Sequence, residues 1–411
     1  MTINNIPRVL WHWGTMGPYH FARMRALAAY SDRLSLSVLE TSDRDAHSWT
    51  RAAQDLPFQL HTLGVEGRQV PHERVLSEAI FQALCKLSPD VIVTTGYHDP
   101  IAHVAYTRFR SRNPGVKLVL WSESTEYDHE RSLLREFLKR SVAVRHAGAI
   151  TAGEIHAQYL RNLGFYSNAI IVAGDSVDNA HFSTMAKASY IPSAARPAMG
   201  LPERYFLYVG RLAPEKNLFR MLRAYKEFRV LSGVSNPVEM ILVGDGPDRQ
   251  ALETEIASSG IEGVIIAGNK QVDELPRYYA NCECLILPST REPWGLVVNE
   301  AMASGRPVLA SQRCGSASEL VLEGVTGFTF DPFDMRALSL AMYKVSIIPD
   351  LDRMGNEAAS WVGGYSVERF AAAASSLLVN LHNGKAQKPT RLGLLGQQLI
   401  NQVWSVAQRF A

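Results

Sequence analysis

Short apolar runs rich in Val, Ile and Leu alternate along this chain with longer segments of helical periodicity. In the first half, these runs predict strands near residues 8–11, 34–39, 91–94, 117–121, 149–151 and 170–172. In the second half, the runs YFLYVG, MILVGDG, GVIIAG, CLILPS and RPVLAS each precede a helical segment. Strands that alternate with helices are typical of parallel α/β units. The pattern therefore predicts two doubly wound parallel sheets, one in each half.

The periodicity stops between the two halves. After Phe182 the segment SYIPSAARPAMGLPER gathers Pro, Ser and Ala, a composition typical of an exposed connector. We therefore expect a first domain at residues 1–182, a connector at 183–200 and a second domain at 201–375. Residues 392–410 predict an amphipathic helix, so the tail at 376–411 needs a packing partner. The simplest partner is the first domain, which the tail reaches by crossing back.

Composition supports this division and narrows the function. A chain of 411 residues exceeds what one hydrophobic core usually serves. A formal net charge of +2 makes nucleic acid a poor candidate partner. The four cysteines form no CxxC pair and no His cluster has zinc-ligand spacing, so we expect neither a disulfide framework nor a metal site. With no secretory leader and no long apolar stretch, the sequence predicts a cytoplasmic protein.

The first candidate chemistry lies between Gly210 and Asn217, directly after the run YFLYV and before the helix LFRMLRAYKEF. Ligands of open parallel sheets bind outside the carboxyl ends of the strands, where a helix N-terminus adds donors and positive potential. Arg211 and Lys216 can clamp a diphosphate there. Taken alone, an Arg and a Lys in a loop are more often solvated surface residues.

The second candidate motif begins at Glu292, follows the run CLILPS and continues into a helix. If the helix begins near Gly295, Glu292 lies in the loop before it and Glu300 lies in its second turn. Both carboxylates can then face a ligand at the helix start. First-turn amides have no partner within the helix, and here they belong to Trp294, Gly295, Leu296 and Val297. Either glutamate alone is better explained by a capped helix with an incidental salt bridge.

Together these motifs resemble those of the family 4 glycosyltransferases. Glu292 and Glu300 match the E-x7-E signature, Arg211 and Lys216 match the GRL-x2-EK loop, and residues 243–247 match the VGDGP turn. The segments GRPVLAS, CGSASELV, GVTGFTF and VDN-x2-F extend the match over nearly the whole second half. The resemblance implies the GT-B fold, in which two Rossmann-like domains face each other across a cleft and a C-terminal helix crosses back to the first domain.

The resemblance also implies a function. The protein would be a retaining, metal-independent transferase with no cofactor, which moves a hexose-type sugar from a UDP- or GDP-linked donor to a glycan, lipid-linked or small-molecule acceptor. Arg211 and Lys216 would neutralise the diphosphate as catalytic cations, Glu300 would hold the ribose, and Glu292 with the neighbouring amides would hold the sugar. The other donor-binding candidates are Gly210, Gly244, Asn269 and Lys270, with Gly14 and Gly17 in the first half.

The first half offers three further candidates. His98 lies in the loop after VIVTT, where a histidine of some relatives bonds the transferred sugar, but an ordinary loop histidine explains it equally well. His20 and Glu123 are candidates for the acceptor side. Glu123 is also explained as the cap of the following helix.

Residues 129–146 predict a basic amphipathic helix with two interpretations. The helix lies on anionic lipid at the inner face of the membrane, or its apolar face packs on the core with a solvated basic side. Rival functions on the same fold are a nucleotide-sugar epimerase, a glycogen synthase-like polymerising enzyme and an inactive sugar-binding protein. The complete set of Arg, Lys and two Glu disfavours an inactive protein.

Overall fold

The computed structural model describes residues 6–42, 55–64, 73–97, 99–128, 132–233 and 238–384. The chain forms two compact units. The first unit combines the chain up to Gly174 with the chain from Glu368 onward, and the second comprises Asp175–Val367. Each unit is a parallel α/β sheet with helices, as predicted.

Within the described ranges, the first unit contains seven parallel strands in the order β3-β2-β1-β4-β5-β6-β7. The strands are β1 (Arg8–Trp13), β2 (Ser35–Glu40), β3 (Gln59–Thr62), β4 (Val91–Thr95), β5 (Lys117–Ser122), β6 (Gly148–Thr151) and β7 (Ile170–Val172). The helices are α1 (Pro18–Ala28), α2 (Glu73–Leu87), α3 (Pro100–Arg112), α4 (Leu133–Ala143) and α5 (Glu154–Asn162). The strand order reverses between β1 and β4, which makes their carboxyl ends the switch point of this sheet.

The described part of the second unit holds six parallel strands in the order β10-β9-β8-β11-β12-β13. The strands are β8 (Tyr205–Val209), β9 (Glu239–Val243), β10 (Val264–Gly268), β11 (Leu285–Leu287), β12 (Val308–Ser311) and β13 (Gly327–Phe330). The helices are α6 (Asn179–Ala188), α7 (Leu218–Ser232), α8 (Arg249–Ser258), α9 (Leu275–Asn281), α10 (Leu296–Ala303), α11 (Ala317–Leu320), α12 (Met335–Ser346) and α13 (Leu351–Val362). The order reverses between β8 and β11, so both candidate motifs follow strands of the switch point.

The segment predicted as the connector, residues 183–200, is built into the second unit instead. Helix α6 continues to Ala188, and the next residues are bonded to the fully buried Asn281. The Asn281 amide accepts a hydrogen bond from the Ile191 N–H (2.8 Å) and donates one to the Ser189 carbonyl (3.0 Å). The units therefore divide after Gly174, not at the predicted 182 and 201, because this polar anchor was not visible in the composition of the segment.

The chain returns to the first unit through helix α14 (Val367–His382). The ring of Phe370 lies 5.6 Å from the rings of both Trp11 and Trp121, and all three side chains are buried. The predicted crossing back is therefore made by α14, from residue 368 and not from 376. The helix predicted at residues 392–410 lies outside the described residues.

Helix α4 has an apolar outer face and a charged inner face. Leu133, Leu134, Phe137 and Leu138 are 93%, 69%, 50% and 47% exposed, respectively. Lys139 is only 7% exposed, and its ammonium donates to the Tyr159 hydroxyl (2.8 Å). The interpretation in which the apolar positions of this helix pack on the core is therefore wrong for these four residues, whereas Val142 does pack against a core cluster. Within the described ranges, no helix combines the length and apolar character needed to cross a bilayer.

Candidate active site

The loops that follow β8 and β9 are bonded to each other through their backbones. The Gly210 N–H donates to the Val243 carbonyl (3.0 Å), and the Leu212 N–H donates to the Asp245 carbonyl (2.9 Å). Gly244 has a φ of 143°, and a Cβ at this position would lie 1.9 Å from the Gly210 oxygen. Only glycine permits this approach. Gly210 and Gly244 therefore shape the predicted site.

The loop after β8 is also fixed to the loops after β11 and β13. The Thr290 N–H donates to the Glu215 carbonyl (2.9 Å). The Asn217 side-chain amide donates to the Pro288 carbonyl (3.1 Å) and to the Pro332 carbonyl (2.8 Å). Asn217 adopts a left-handed φ of 59° directly before α7 begins. These bonds hold the cation-bearing loop against the carboxyl edge of the sheet.

The structure brings two of the predicted site residues into direct contact. The Lys216 ammonium donates to the Glu292 carboxylate, and the Ser289 hydroxyl donates to the same oxygen (3.0 Å). Both partners of the ion pair are largely buried, with side chains 18% and 12% exposed. Two loops that are far apart in sequence therefore place opposite charges at the switch point of the second sheet.

Arg211 lies on the same loop as Lys216 and remains accessible. Its side chain is 56% exposed and forms an ion pair with Glu215 (2.9 Å). Burial is the largest influence on the Glu215 pKa and raises it, but bonds from the Glu215 backbone and from Arg211 hold the pKa below its ordinary value. The exposed guanidinium can exchange this carboxylate for another anion at little cost.

Helix α10 begins at Leu296, one residue after the predicted start, and Gly295 is its N-cap. Gly295 has a φ of 92°, and a Cβ there would lie 2.8 Å from the Cys314 sulfur. Among the described residues, the N–H groups of Gly295, Leu296 and Val297 donate to no acceptor. These first-turn donors lie beside Glu292 and are suited to bind anionic oxygens.

Trp294, the residue before the N-cap of α10, fixes the start of this helix through buried hydrogen bonds. It is 2% exposed, its carbonyl accepts bonds from the Ser316 N–H (3.0 Å) and the Cys314 thiol (2.8 Å), and its indole donates to Asn299 (3.0 Å). Burial raises the pKa of Cys314 to about 12, so this sulfur remains a thiol and is no nucleophile. Sequence reasoning missed Cys314 and Asn299 because an isolated Cys or Asn carries no pattern.

Glu300 lies in the second turn of α10, as predicted, and is fully buried. Its carboxylate accepts a hydrogen bond from the Tyr279 hydroxyl on α9 (2.7 Å). Tyr279 was not identified from the sequence.

Asn269 and Lys270 follow β10, which lies two strands away from β8. The Gly244 N–H, in the loop after β9, donates to the carbonyl of Gly268, the residue before Asn269 (2.9 Å).

In the first unit, Gly14 and Gly17 lie in the loop after β1. Neither has a positive φ, and a Cβ at Gly14 would meet no atom within 4 Å. The backbone at Gly14 does not require a glycine, and the space beside it is open. Glu40, which sequence reasoning missed, is fully buried and accepts bonds from the Met16 N–H (3.2 Å) and the Thr62 hydroxyl (2.6 Å). It fixes the loop to β2 and β3.

Two of the remaining candidates of the first unit, His20 and Glu123, form hydrogen bonds with nearby residues of the same unit. The Nδ1 atom of His20 accepts a bond from the Gly17 N–H (2.9 Å). Glu123 accepts a bond from the Trp121 indole (2.9 Å) and is not the cap of α4, whose N-cap is Ser132. His98 lies outside the described residues. Across the described ranges, no group of three or more His, Cys, Asp or Glu side chains is placed to hold a metal ion.

The candidate site lies within the part of the chain that matches the model of a known protein family. Residues 195–361 match the family model for glycosyl transferases group 1. The matched region contains the Lys216–Glu292 pair, the exposed Arg211 and the buried Glu300. The four side chains at the centre of the candidate site therefore belong to the part of the chain that defines the match.

Curated relatives align over only part of their length. The chain is 27% identical over 263 residues to the lipopolysaccharide 1,2-N-acetylglucosaminetransferase of Salmonella typhimurium, covering 60% of each protein. It is 32% identical over 167 residues to the alpha-D-kanosaminyltransferase of Streptomyces kanamyceticus, covering 40% of this chain and 42% of the relative. The chain thus spans at most 60% of the length of these two relatives.

Solved structures match the fold of almost the whole chain. HepE of Anabaena in complex with UDP has a TM-score of 0.68 at 20% identity, covering 91% of this chain and 99% of that one. The sucrose-phosphate synthase of Thermosynechococcus elongatus has a TM-score of 0.72 at 18% identity, covering 92% and 100%. Residues 195–361 therefore match the glycosyl transferases group 1 model, and the chain that carries them has the two-domain GT-B fold.

Proposed function

We propose that this protein is a retaining glycosyltransferase. It moves a hexose-type sugar from a UDP- or GDP-linked donor to a glycan, lipid-linked or small-molecule acceptor. The observation that carries the proposal is the contact of Lys216 with Glu292 at the switch point of the second sheet, beside the unpaired amides of α10. The names of the relatives support the activity, and the HepE complex supports a UDP-linked donor.

The proposed reaction uses charges that are already in place. The donor diphosphate binds at the exposed Arg211 and shares Lys216 with Glu292, while Glu292 and the α10 amides hold the transferred sugar. When the bond between the sugar C1 and the phosphate oxygen breaks, the leaving nucleoside diphosphate gains negative charge. Fixed cations aimed at that charge stabilise the transition state more than the ground state.

Retention follows in this proposal from attack on the same face of the sugar. The acceptor oxygen bonds to C1, and its proton passes to the departing phosphate, so no enzyme nucleophile is required. Glu292 bonds with Lys216 and Ser289, an arrangement suited to holding sugar hydroxyls and not to nucleophilic attack. Because two side-chain cations neutralise the diphosphate, we propose that no divalent metal is needed, and activity should persist in EDTA.

The donor is identified most directly by thermal shift. A panel of UDP-, GDP- and ADP-sugars is added to the protein, and a ligand that binds only the folded state raises Tm. The stabilising donor is then incubated with glycan, lipid-linked and small-molecule acceptors. A transferase releases nucleoside diphosphate and forms a product with the donor's anomeric configuration. An epimerase alters the donor without that release, a polymerising enzyme extends a glucan, and an inactive protein leaves the donor intact.

We also propose that α4 binds the surface of an anionic membrane at the cytoplasmic face. Its outer apolar residues are flanked by the exposed Arg135 and Arg140, while Glu136 and Lys139 pair on the inner side (3.8 Å). The outer face therefore combines apolar contact area with exposed, positively charged side chains. Such a face inserts at the headgroup boundary of anionic lipid.

Vesicle sedimentation tests the membrane proposal. We expect binding to phosphatidylcholine vesicles that contain phosphatidylglycerol, weaker binding at high salt, and little binding to pure phosphatidylcholine. Phe137→Ser should reduce sedimentation, whereas Leu340→Ser, which changes a 42% exposed leucine of α12, should not. Equal sedimentation with neutral and anionic vesicles contradicts the proposal.

A further inference from the structure

His20 is the third residue of α1, at the carboxyl edge of the first sheet. The Gly17 backbone N–H donates to the Nδ1 atom of its ring (2.9 Å). A ring nitrogen that accepts a hydrogen bond carries a lone pair, so the proton of the neutral imidazole must be on Nε2. The start of α1 therefore selects one tautomer of His20.

The surroundings of His20 also select its neutral form. The imidazole lies 4.2 Å from the indole of Trp13, measured between ring centroids. The Arg23 guanidinium lies 5.6 Å from the same indole. Burial, and secondarily the positive charge of Arg23, hold the pKa of His20 well below its ordinary value. Protonation would moreover place a hydrogen on Nδ1, against the Gly17 N–H.

This aromatic pair carries two N–H donors that have no acceptor among the described residues. The Nε2–H group of His20 donates to none of the residues that the structure describes, and His20 is partly exposed. The indole N–H of Trp13, which is 4% exposed, is likewise without an acceptor there. The open loop at Gly14 lies directly between these two residues in the sequence. Ligands of open parallel sheets bind at this edge, beside the switch point.

We propose that His20 is a neutral hydrogen-bond donor to a substrate oxygen, through Nε2–H, and not a base that takes up the acceptor proton. The proposal rests on the transferase function proposed above. The oxygen is a hydroxyl or phosphate oxygen, carried either by the nucleotide-sugar donor or by the acceptor. A ring whose other nitrogen is occupied by the Gly17 N–H offers the substrate a donor in one fixed direction.

The tautomer can be tested without any substrate. In protein labelled with ¹⁵N-histidine, the His20 signals should show protonated Nε2 and unprotonated Nδ1, and they should not titrate between about pH 5 and 8. His20→Gln identifies these signals by removing them. Titration of His20 within that range, or a proton on Nδ1, overturns the proposal regardless of whether the protein transfers sugar.

Kinetics identify the substrate that His20 contacts. Glutamine can accept from the Gly17 N–H and donate onward, so His20→Gln should retain most activity, whereas His20→Leu should lose about tenfold in kcat/KM, the effect of one hydrogen bond. The loss should appear in the KM of the contacted substrate or in kcat, with the acid limb of the pH profile unchanged. His382→Gln, on α14, is the control. Full activity of His20→Leu overturns the proposal, whereas an inactive wild type contradicts the transferase function itself.

Discussion

At the scale of single residues, the proposed activity depends most on the ion pair between Lys216 and Glu292. In the proposed reaction Lys216→Ala removes a cation aimed at the leaving diphosphate, so we expect kcat to fall on the order of 100-fold with a smaller change in donor affinity. Glu300→Ala should mainly weaken donor binding. Steady-state kinetics and donor titration separate these effects. Lys226→Ala, which removes a lysine that bonds the Ser259 carbonyl, should behave as wild type.

Gly244 is the residue whose backbone most constrains the site. Gly244→Ala places a Cβ 1.9 Å from the Gly210 oxygen at a φ of 143°, so the loops after β8 and β9 must separate. We expect a loss of about 2 kcal/mol or more in the free energy of unfolding, measured in urea. Gly14→Ala is the matched control, because its Cβ meets no atom, and it should change stability by less than about 0.5 kcal/mol. Equal stability of the two variants would contradict this account.

A residue of the candidate site could be predicted only where it belongs to a recognisable sequence motif. The positions of Arg211, Lys216, Glu292 and Glu300 at strand ends and at a helix start could be predicted because each lies in a recognisable motif, and their roles stay predictions. Their supports could not be identified in this way. Tyr279 and Glu40 act from other elements, and only tertiary packing brings them to the carboxylate or the loop that they hold.

At the scale of elements, the first sheet buries a cluster of histidines between β1, α3 and the end of α4. The Nδ1 atom of His12 forms a hydrogen bond with the Tyr106 hydroxyl, and the ring of Tyr106 lies 5.5 Å from that of His103. His103 lies 5.8 Å from His146, which bonds the Thr94 hydroxyl (2.9 Å). These elements are thus joined by uncharged imidazoles.

This cluster should make the protein less stable in acid. Burial lowers the pKa of His12 to about 4, although Asp99 opposes the shift, and lowers that of His146 to about 3. In the unfolded chain these rings titrate near 6.5, so protons bind preferentially to the unfolded state as pH falls. Full stability is therefore expected above about pH 6.5, with a loss of up to about 1.4 kcal/mol per pH unit per histidine down to about pH 4.

Urea unfolding at pH 7.5, 6 and 5 checks this expectation. His146→Gln should flatten the dependence on pH because glutamine does not titrate, while His382→Gln, which changes a partly exposed residue of α14, should not. An unchanged slope in His146→Gln would exclude this histidine as a source of the effect.

Elements were predicted well where the apolar pattern was strong. Strands β1, β4, β5 and β8 were found because their residues are almost all buried. Strand β3 was missed because it is a short, polar edge strand that is nowhere fully buried. Helix α4 was found, but periodicity cannot tell which side of an amphipathic helix faces the protein, and its buried Lys139–Tyr159 bond decides that orientation.

At the scale of the whole molecule, the first unit depends on a helix from the far end of the chain. Phe370→Ala removes a buried ring between Trp11 and Trp121, so we expect a loss of about 3–5 kcal/mol. Hydrogen exchange should show the loss in β1 and β5, with β8 and β9 little affected. Leu340→Ala, at an exposed position of α12, is the control. Equal loss of hydrogen-exchange protection in both units would contradict the assignment of α14 to the first unit.

The two-unit organisation could be predicted from the change in periodicity, but its boundaries could not. The segment at 183–200 has the composition of a connector, yet Asn281 bonds its backbone and the buried Arg196 donates to the Glu203 carbonyl (2.7 Å), so the segment is tied to the second unit. The sequence predicted the crossing back from residue 376, whereas Phe370, which packs against the tryptophans of the first sheet, already belongs to α14.

The return of α14 has a consequence for synthesis on the ribosome. The second unit is continuous in sequence, so all of it has left the exit tunnel before the chain beyond Glu368 emerges. The first unit is synthesised earlier, but Trp11 and Trp121 cannot pack against Phe370 until the chain beyond Glu368 has emerged. The usual order of co-translational folding is therefore reversed, and the nascent amino-terminal half is the part that needs protection by a chaperone.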